Sequence, residues 1–221
     1  MDKNLINNKT TIIKSFLPLF SFEKTKRYLN IKIKINDIEA IEWKLFSLTD
    51  SLGLVTKSEE IFYRVPKGQL KICFEHPGKN IGELISISPT DNKSFGKLFY
   101  LLESRISTLP EAGQFRHTLN LCLEELAIIR KKRKSYIFGS IKFYLDNIEC
   151  LGEYYLDIEI YPEEEEKIDE KKLYFKAFDL LKKLNISTNI LFPHYSYLEL
   201  FLKEEKKREE SDESAFSDES I

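Results

Sequence analysis

Long apolar runs are missing from this 221-residue sequence. No stretch approaches the ~20 residues that a membrane helix needs. The apolar segment from Phe16 to Phe22 is short and broken by Pro18. It also lacks the h-region length and small-residue cleavage site of a signal peptide, so a cytoplasmic protein with no membrane association is expected. Cysteine is scarce and odd in number: Cys73, Cys122 and Cys150 stand far apart with no CxxC pair. That spacing argues against a disulfide framework or a zinc knuckle and for three reduced thiols. His76, His117 and His194 show no metal-ligand spacing, and neither a GxSxG nor a P-loop motif occurs. His194, after Pro193, reads as a surface or core-edge residue. An excess of one charge is absent too, with 34 Lys and Arg against 36 Asp and Glu. This balance argues against a general polyanion or nucleic-acid binder, although it permits a local basic cavity.

What is present is enough apolar material, 42% of the residues, for one globular domain. Residues 1–27 read as an N-terminal extension in which Phe16, Leu17, Leu19, Phe20 and Phe22 are available to pack back. Residues 28–203 read as the folded domain. Residues 204–221, nearly all charged or Ser, read as an acidic disordered tail, because they offer too little apolar surface to order themselves. The Ser-Asp-Glu repeats at 211–213 and 217–219 fit a solubilising tail, with acidic-directed phosphorylation as the less expected role.

The segment Tyr28-Leu-Asn-Ile-Lys-Ile-Lys-Ile35 alternates strictly, which predicts a strand. Asn36-Asp37 predicts a helix cap, followed by Ile38, Ile41, Leu45 and Leu48 at helical spacing and a stop at Gly53. Trp43 is expected to pack under that helix. Ile61–Val65, the Pro66-Lys-Gly68 turn and Gln69–Glu75 predict a hairpin, and 83–88 a further strand. The stretch 98–106 is ambiguous between helix and strand, and 119–126 reads as a helix with Cys122 in the core. Three alternating segments follow, at 127–138, 140–146 and 154–160. An amphipathic helix is expected over 172–184, with Glu163–Glu166 a solvated turn before it, and 195–202 closes the core. Strands joined mainly by hairpin-length turns predict an antiparallel α+β fold with flanking helices. The two halves look alike, a faint sign of an internal repeat.

The alternation also sorts charge. Asn30, Lys32 and Lys34 share one strand face, as do Gln69, Lys71 and Cys73; Lys131, Arg133 and Ser135; Lys142 and Tyr144; and Tyr155, Asp157 and Glu159. In an open sheet these faces would simply be solvated, the usual arrangement. In a sheet curled into a barrel they would converge on one lumen. Such a lumen suits a polyphosphate with a divalent cation, since Lys and Arg neutralise phosphate oxygens and carboxylates hold Mg²⁺ or Mn²⁺.

The ordered set Phe62-Tyr-Arg-Val-Pro-Lys-Gly-Gln-Leu-Lys-Ile72, Ile129-Arg-Lys-Lys-Arg-Lys-Ser-Tyr136, Ile141–Asp146, Glu149–Gly152, Leu156–Glu159 and Ser196–Leu200 resembles the CYTH family, that of class IV adenylyl cyclases and thiamine triphosphatases. It covers most of the chain, residues 28–202. The resemblance implies an antiparallel barrel-like tunnel that binds a triphosphate or nucleotide such as ATP, thiamine triphosphate or inorganic triphosphate. It assigns phosphate contacts to Lys32, Lys34, Arg64, Lys71, Lys131, Arg133 and Lys142. It assigns Mg or Mn to Asp157 and Glu159, with Asp146 assisting. If active, such a protein would be a Mg/Mn-dependent adenylyl cyclase or triphosphatase. The departures are that Tyr28 and Asn30 stand where the family's first-strand Glu-x-Glu-x-Lys has its glutamates, that Cys73 and Ser88 stand where arginines are usual, and that Glu159 fits only with a one-residue adjustment. Loss of two hard ligands implies weaker metal affinity, hence the alternative of a catalytically impaired binding or interaction protein. The oligomeric state and the choice between cyclisation and hydrolysis stay open.

Overall fold

The structure is a computed structural model that describes residues 25–75, 80–89, 99–163, 169–187 and 196–218. Most of the proposed N-terminal extension, His76, His194 and residues 164–166 of the acidic turn lie outside the described residues. Eight strands alternate with helices: β1 (Lys26–Ile35), α1 (Ile38–Thr49), β2 (Leu54–Tyr63), β3 (Gln69–Phe74), β4 (Gly82–Pro89), β5 (Tyr100–Leu109), α2 (Ala112–Cys122), β6 (Glu125–Phe138), β7 (Ile141–Ile148), β8 (Glu153–Ile160), α3 (Glu170–Lys183) and α4 (Tyr197–Asp218). The strands close into an antiparallel barrel in the order β1-β5-β4-β3-β2-β6-β7-β8. The expected α+β barrel-like tunnel fold is thus what the chain adopts. Within the ambiguous stretch 98–106, residues 100–106 belong to β5, and Leu98 lies outside the described residues.

Closure buries the inner face of the sheet, and helices cover part of its outer face. On β1, Leu29, Ile31 and Ile33 point outward beneath Ile41 and Leu45 of α1 and Leu173, Ala177, Leu180 and Leu181 of α3. Each such aliphatic side chain contributes roughly 1.5–3 kcal/mol by leaving water. A second outer layer sets Ile61, Tyr63 and Ile72 under Ala112, Phe115 and Leu119 of α2. Inward positions fall to the polar residues. α1 starts where Asp37 accepts the Ala40 amide at 3.0 Å. It ends at Asp50, in the left-handed region at φ 52°, three residues before the expected stop. The hairpin turn needs Gly68, at φ +66°, because a Cβ there would lie 2.5 Å from the Ile87 carbonyl oxygen.

Three expectations need correction. β2 begins at Leu54, seven residues early, because its inward Ser58 and Glu60 disguise the alternation. α2 covers 112–122 and has ended where a helix was expected to continue to 126, since Glu125 already pairs with Tyr63. Cys122 is accordingly exposed. Trp43 also faces solvent: it lies two residues, about 200°, from Ile41 on the helix, opposite the buried stripe. α4 runs as helical backbone to Asp218. Ion pairs one turn apart, Lys207–Glu204 and Arg208–Glu205, support that helix where an apolar face cannot.

Candidate functional site

Register decides where the alternating charges point. Lys32 lies opposite Asp157 across β1–β8, and Arg133 opposite Asp146 across β6–β7. Lys71 lies opposite Phe62 across β2–β3. All these side chains take the inward side of the pleat. They surround a cavity of about 70 Å³ lined by Tyr28, Asn30, Lys32, Glu60, Phe62, Gln69, Lys71, Ile87, Leu102, Lys131, Arg133, Asp157, Glu159, Ser196 and Tyr197. The barrel therefore converges four of the expected phosphate contacts, Lys32, Lys71, Lys131 and Arg133, and two of the expected metal ligands, Asp157 and Glu159. Asp146 sits wholly buried behind Arg133. Lys142 is one step further along, with its ammonium over the Tyr161 ring at 5.1 Å. Lys34 is exposed at the barrel mouth and pairs with Glu153. Arg64 lies outside the barrel, exposed, in a fork with Glu124 at 2.5 and 3.1 Å.

The lumen cations do not stand free. Lys32 Nζ is 2.8 Å from Asp157 Oδ2 and 3.1 Å from Asn30 Oδ1, while Asn30 donates to Asp157 Oδ1 at 2.7 Å. Glu60 Oε1 accepts from Lys131 at 2.7 Å and from Lys71 at 2.9 Å. Arg133 makes a two-pronged contact with Asp146 at 2.7 and 2.6 Å, and its guanidinium lies 3.9 Å from the Tyr144 ring centre. Glu159 Oε2 accepts the Tyr161 hydroxyl at 2.6 Å and the Tyr144 hydroxyl at 3.2 Å. Four cations and four carboxylates thus cancel inside the barrel, as burial of charge demands.

Three partners in this network have no role in the sequence reading. Glu60 is one, hidden in the polar first half of β2. Tyr161, just past the end of β8, is the second. Tyr197 is the third. It enters the barrel from the first turn of α4, donates to Asp146 at 2.8 Å and places its ring 5.0 and 5.2 Å from the Lys32 and Lys131 ammoniums. Ser196 beside it accepts from Gln69 at 2.6 Å. The C-terminal helix therefore plugs the lumen with an aromatic ring that two lysines share.

Proton affinities follow from the pairing. Burial alone would raise the Glu60 carboxyl, but Lys131, Lys71 and Arg133 outweigh it and hold it far below its ordinary 4.5. Asp146 is lowered likewise, burial being overcome by Arg133 and Lys131. A carboxyl depressed in the folded state stabilises fully above its unfolded pKa, and that stability is lost as pH falls. The chain is therefore expected to weaken progressively below about pH 4.5. Glu60→Gln should be less stable at neutral pH and lose less on acidification, which urea titrations along a pH series would read. Burial, then Glu60, push the Cys73 thiol up to about 11, so it is protonated at neutral pH and no nucleophile.

As the lumen stands, its donor set does not fit a divalent cation. Mg²⁺ and Mn²⁺ want several free hard oxygens converging on one point. Both oxygens of Asp157 face Asn30 and Lys32, both of Asp146 face Arg133, and Glu159 accepts two phenols. Among the described residues, no three His, Cys, Asp or Glu side chains converge as a metal site.

Sequence comparison finds neither a matching family model nor a matching curated protein. Structural comparison does find likeness. The chain is similar to the PH1012 protein of Pyrococcus horikoshii, at 18% identity over 78% of this chain and 98% of that one, with a TM-score of 0.62. It is similar to a candidate adenylate cyclase from Vibrio parahaemolyticus, at 14% identity over 80% and 98%, TM-score 0.60. It is also similar to a chain in the Mediator head module of Schizosaccharomyces pombe, at 12% identity over 73% and 95%, TM-score 0.53. These likenesses are of fold: the closed antiparallel barrel with flanking helices is shared with the candidate cyclase. None of the described helices is long and apolar enough to cross a membrane.

Proposed function

We propose that this chain is a CYTH-like tunnel protein whose lumen has become a closed ion-pair network, and that it acts as a binding or interaction protein without metal-dependent turnover of a triphosphate. The observation that carries this reading is the pairing of every cavity cation with a lumen carboxylate beneath the Tyr197 plug. A cavity of about 70 Å³ holds a few waters. Seating a triphosphate would require Tyr197 to leave, and its phosphates would have to displace Glu60, Asp146 and Asp157 from their cations. The neutral lumen gives no net field to drive that exchange.

A second reading has one observation in its favour. Lys32 from β1, Lys71 from β3, and Lys131 with Arg133 from β6 meet in one cavity, the placement that phosphate contacts need in a cyclase or triphosphatase of this fold. Turnover separates the two readings. The purified chain is expected to leave ATP, thiamine triphosphate and inorganic triphosphate unchanged with Mn²⁺ present; metal-dependent product formation would overturn the first reading. Asn30→Glu with Tyr28→Glu sets two more carboxylates among Asp157 and Glu159. Calorimetry is expected to show Mn²⁺ affinity in that variant at least about tenfold above the parent's.

A further inference from the structure

We propose that the outer face of the β2–β6 ladder, beside α1, docks a partner protein segment carrying a bulky apolar side chain followed by acidic residues. This rests on reading the chain as an interaction protein, and it adds the place and the chemistry of the contact.

The anchor site is a groove of about 270 Å³ between α1 and β6, lined by Glu39, Glu42, Trp43, Phe46, Ser51, Leu52, Lys134 and Tyr136. Trp43 is the chain's single tryptophan and is 69% exposed; Leu52 is 76% exposed. The Trp43 and Phe46 rings stack at 5.7 Å, forming a rigid wall. Exposed Val55, on the same outward face, extends the apolar strip along β2. A concave site walled by aromatic rings, one of them the lone tryptophan, has the make-up of a binding hot spot.

The acidic half of the partner is argued from the ladder itself. Its outward pairs run Val55–Lys134, Lys57–Lys132 and Glu59–Arg130. Lys134 is matched by Glu42 at 2.8 Å, and Arg130 by Glu59 at 2.8 Å. Lys57 and Lys132 are exposed, lie directly opposite one another and have no counter-charge among the described residues. Like charges facing across a strand pair are destabilising. Every flanking charge of this ladder has found a partner, and this pair has not. One residue step along β2 separates Val55 from each neighbour, so Lys57 lies about 7 Å beyond Val55. A segment with its apolar side chain in the groove would set residues two or three positions later over the two lysines. Glu39 marks the helix side of the groove, where the partner should not be acidic. That same acidic side argues against nucleic acid, and it argues against a second copy of this face.

Trp43 supplies the readout. The probe is an acetylated, amidated hexapeptide of Leu-Phe followed by four glutamates, titrated into the full chain while tryptophan fluorescence is followed. Expected is a saturable change, with affinity falling at least about tenfold when the glutamates are replaced by lysines or when the chain carries Lys57→Glu and Lys132→Glu. Both lysines are exposed, so this variant should melt no lower than the parent. Leu52→Asp, which removes the apolar wall of the groove, is expected to weaken the acidic peptide at least about tenfold as well. No fluorescence change at millimolar acidic peptide, equal binding of the lysine peptide, or tighter binding of an oligouridylate would each overturn the proposal. Metal-dependent turnover in the lumen would instead overturn the functional reading, without moving the Trp43 signal.

Discussion

Asp146→Ala is expected to cost about 3–5 kcal/mol of folding stability, because it leaves a buried guanidinium without its counter-charge. Asp146 has no exposed surface and receives two bonds from Arg133 and one from Tyr197. Removing it strands all three donors at once. Arg133 has only Asp157 within reach as a substitute, at 3.6 Å, and that carboxylate already serves Lys32 and Asn30. Urea unfolding of the variant reads the loss. Removing both sides together, as Asp146→Leu with Arg133→Met, is expected to recover much of it, since a buried ion pair replaced by apolar residues of similar volume is often neutral or stabilising. A double variant no more stable than Asp146→Ala would show that the pair contributes more than mutual neutralisation.

Tyr197→Ala is expected to cost about as much, roughly 3–5 kcal/mol, the range for emptying a buried aromatic position. The ring fills the end of the barrel, packs edge-on against Tyr155 at 5.6 Å and lies near both Lys32 and Lys131. Tyr197→Phe keeps the packing and loses only the bond to Asp146, so about 1.5–3 kcal/mol is expected, as for hydrogen bonds to charged groups. A graded series, parent above phenylalanine above alanine in melting temperature, is the signature of a seated plug. Equal melting of all three would mean that the first turn of α4 does not hold the lumen closed.

Strands that alternate apolar and charged residues announced themselves in the sequence. β1, β6, β7 and β8 were legible because Leu29, Ile31 and Ile33, or Phe143 and Leu145, stand against charged neighbours at period two. The inward grouping of Lys32, Lys71, Lys131, Arg133, Asp157 and Glu159 was legible for the same reason, once a closed sheet was assumed. Closure itself was not, since alternation reads alike on a solvated face and in a lumen. The first half of β2 was illegible because polar Ser58 and Glu60 occupy its inward positions. Glu60 could have been sought on physical grounds: buried ammoniums at 71 and 131 require a carboxylate, and only a strand between β3 and β6 can supply it. Arg64 was misplaced because it follows the last residue of β2, where the pleat no longer dictates direction. Tyr197 was out of reach, since nothing local shows that a helix will begin inside a barrel.

On the proposed reading, the lumen is a self-neutralised, plugged interior and no metal-dependent triphosphate site. Thermal unfolding of the full chain with tripolyphosphate, with and without Mn²⁺, tests it most directly, because a ligand that binds only the folded form raises the melting temperature. A closed lumen should give the same melting temperature with tripolyphosphate whether or not Mn²⁺ is present. A rise that appears only when tripolyphosphate and Mn²⁺ are combined, and that Arg133→Met abolishes, would contradict it.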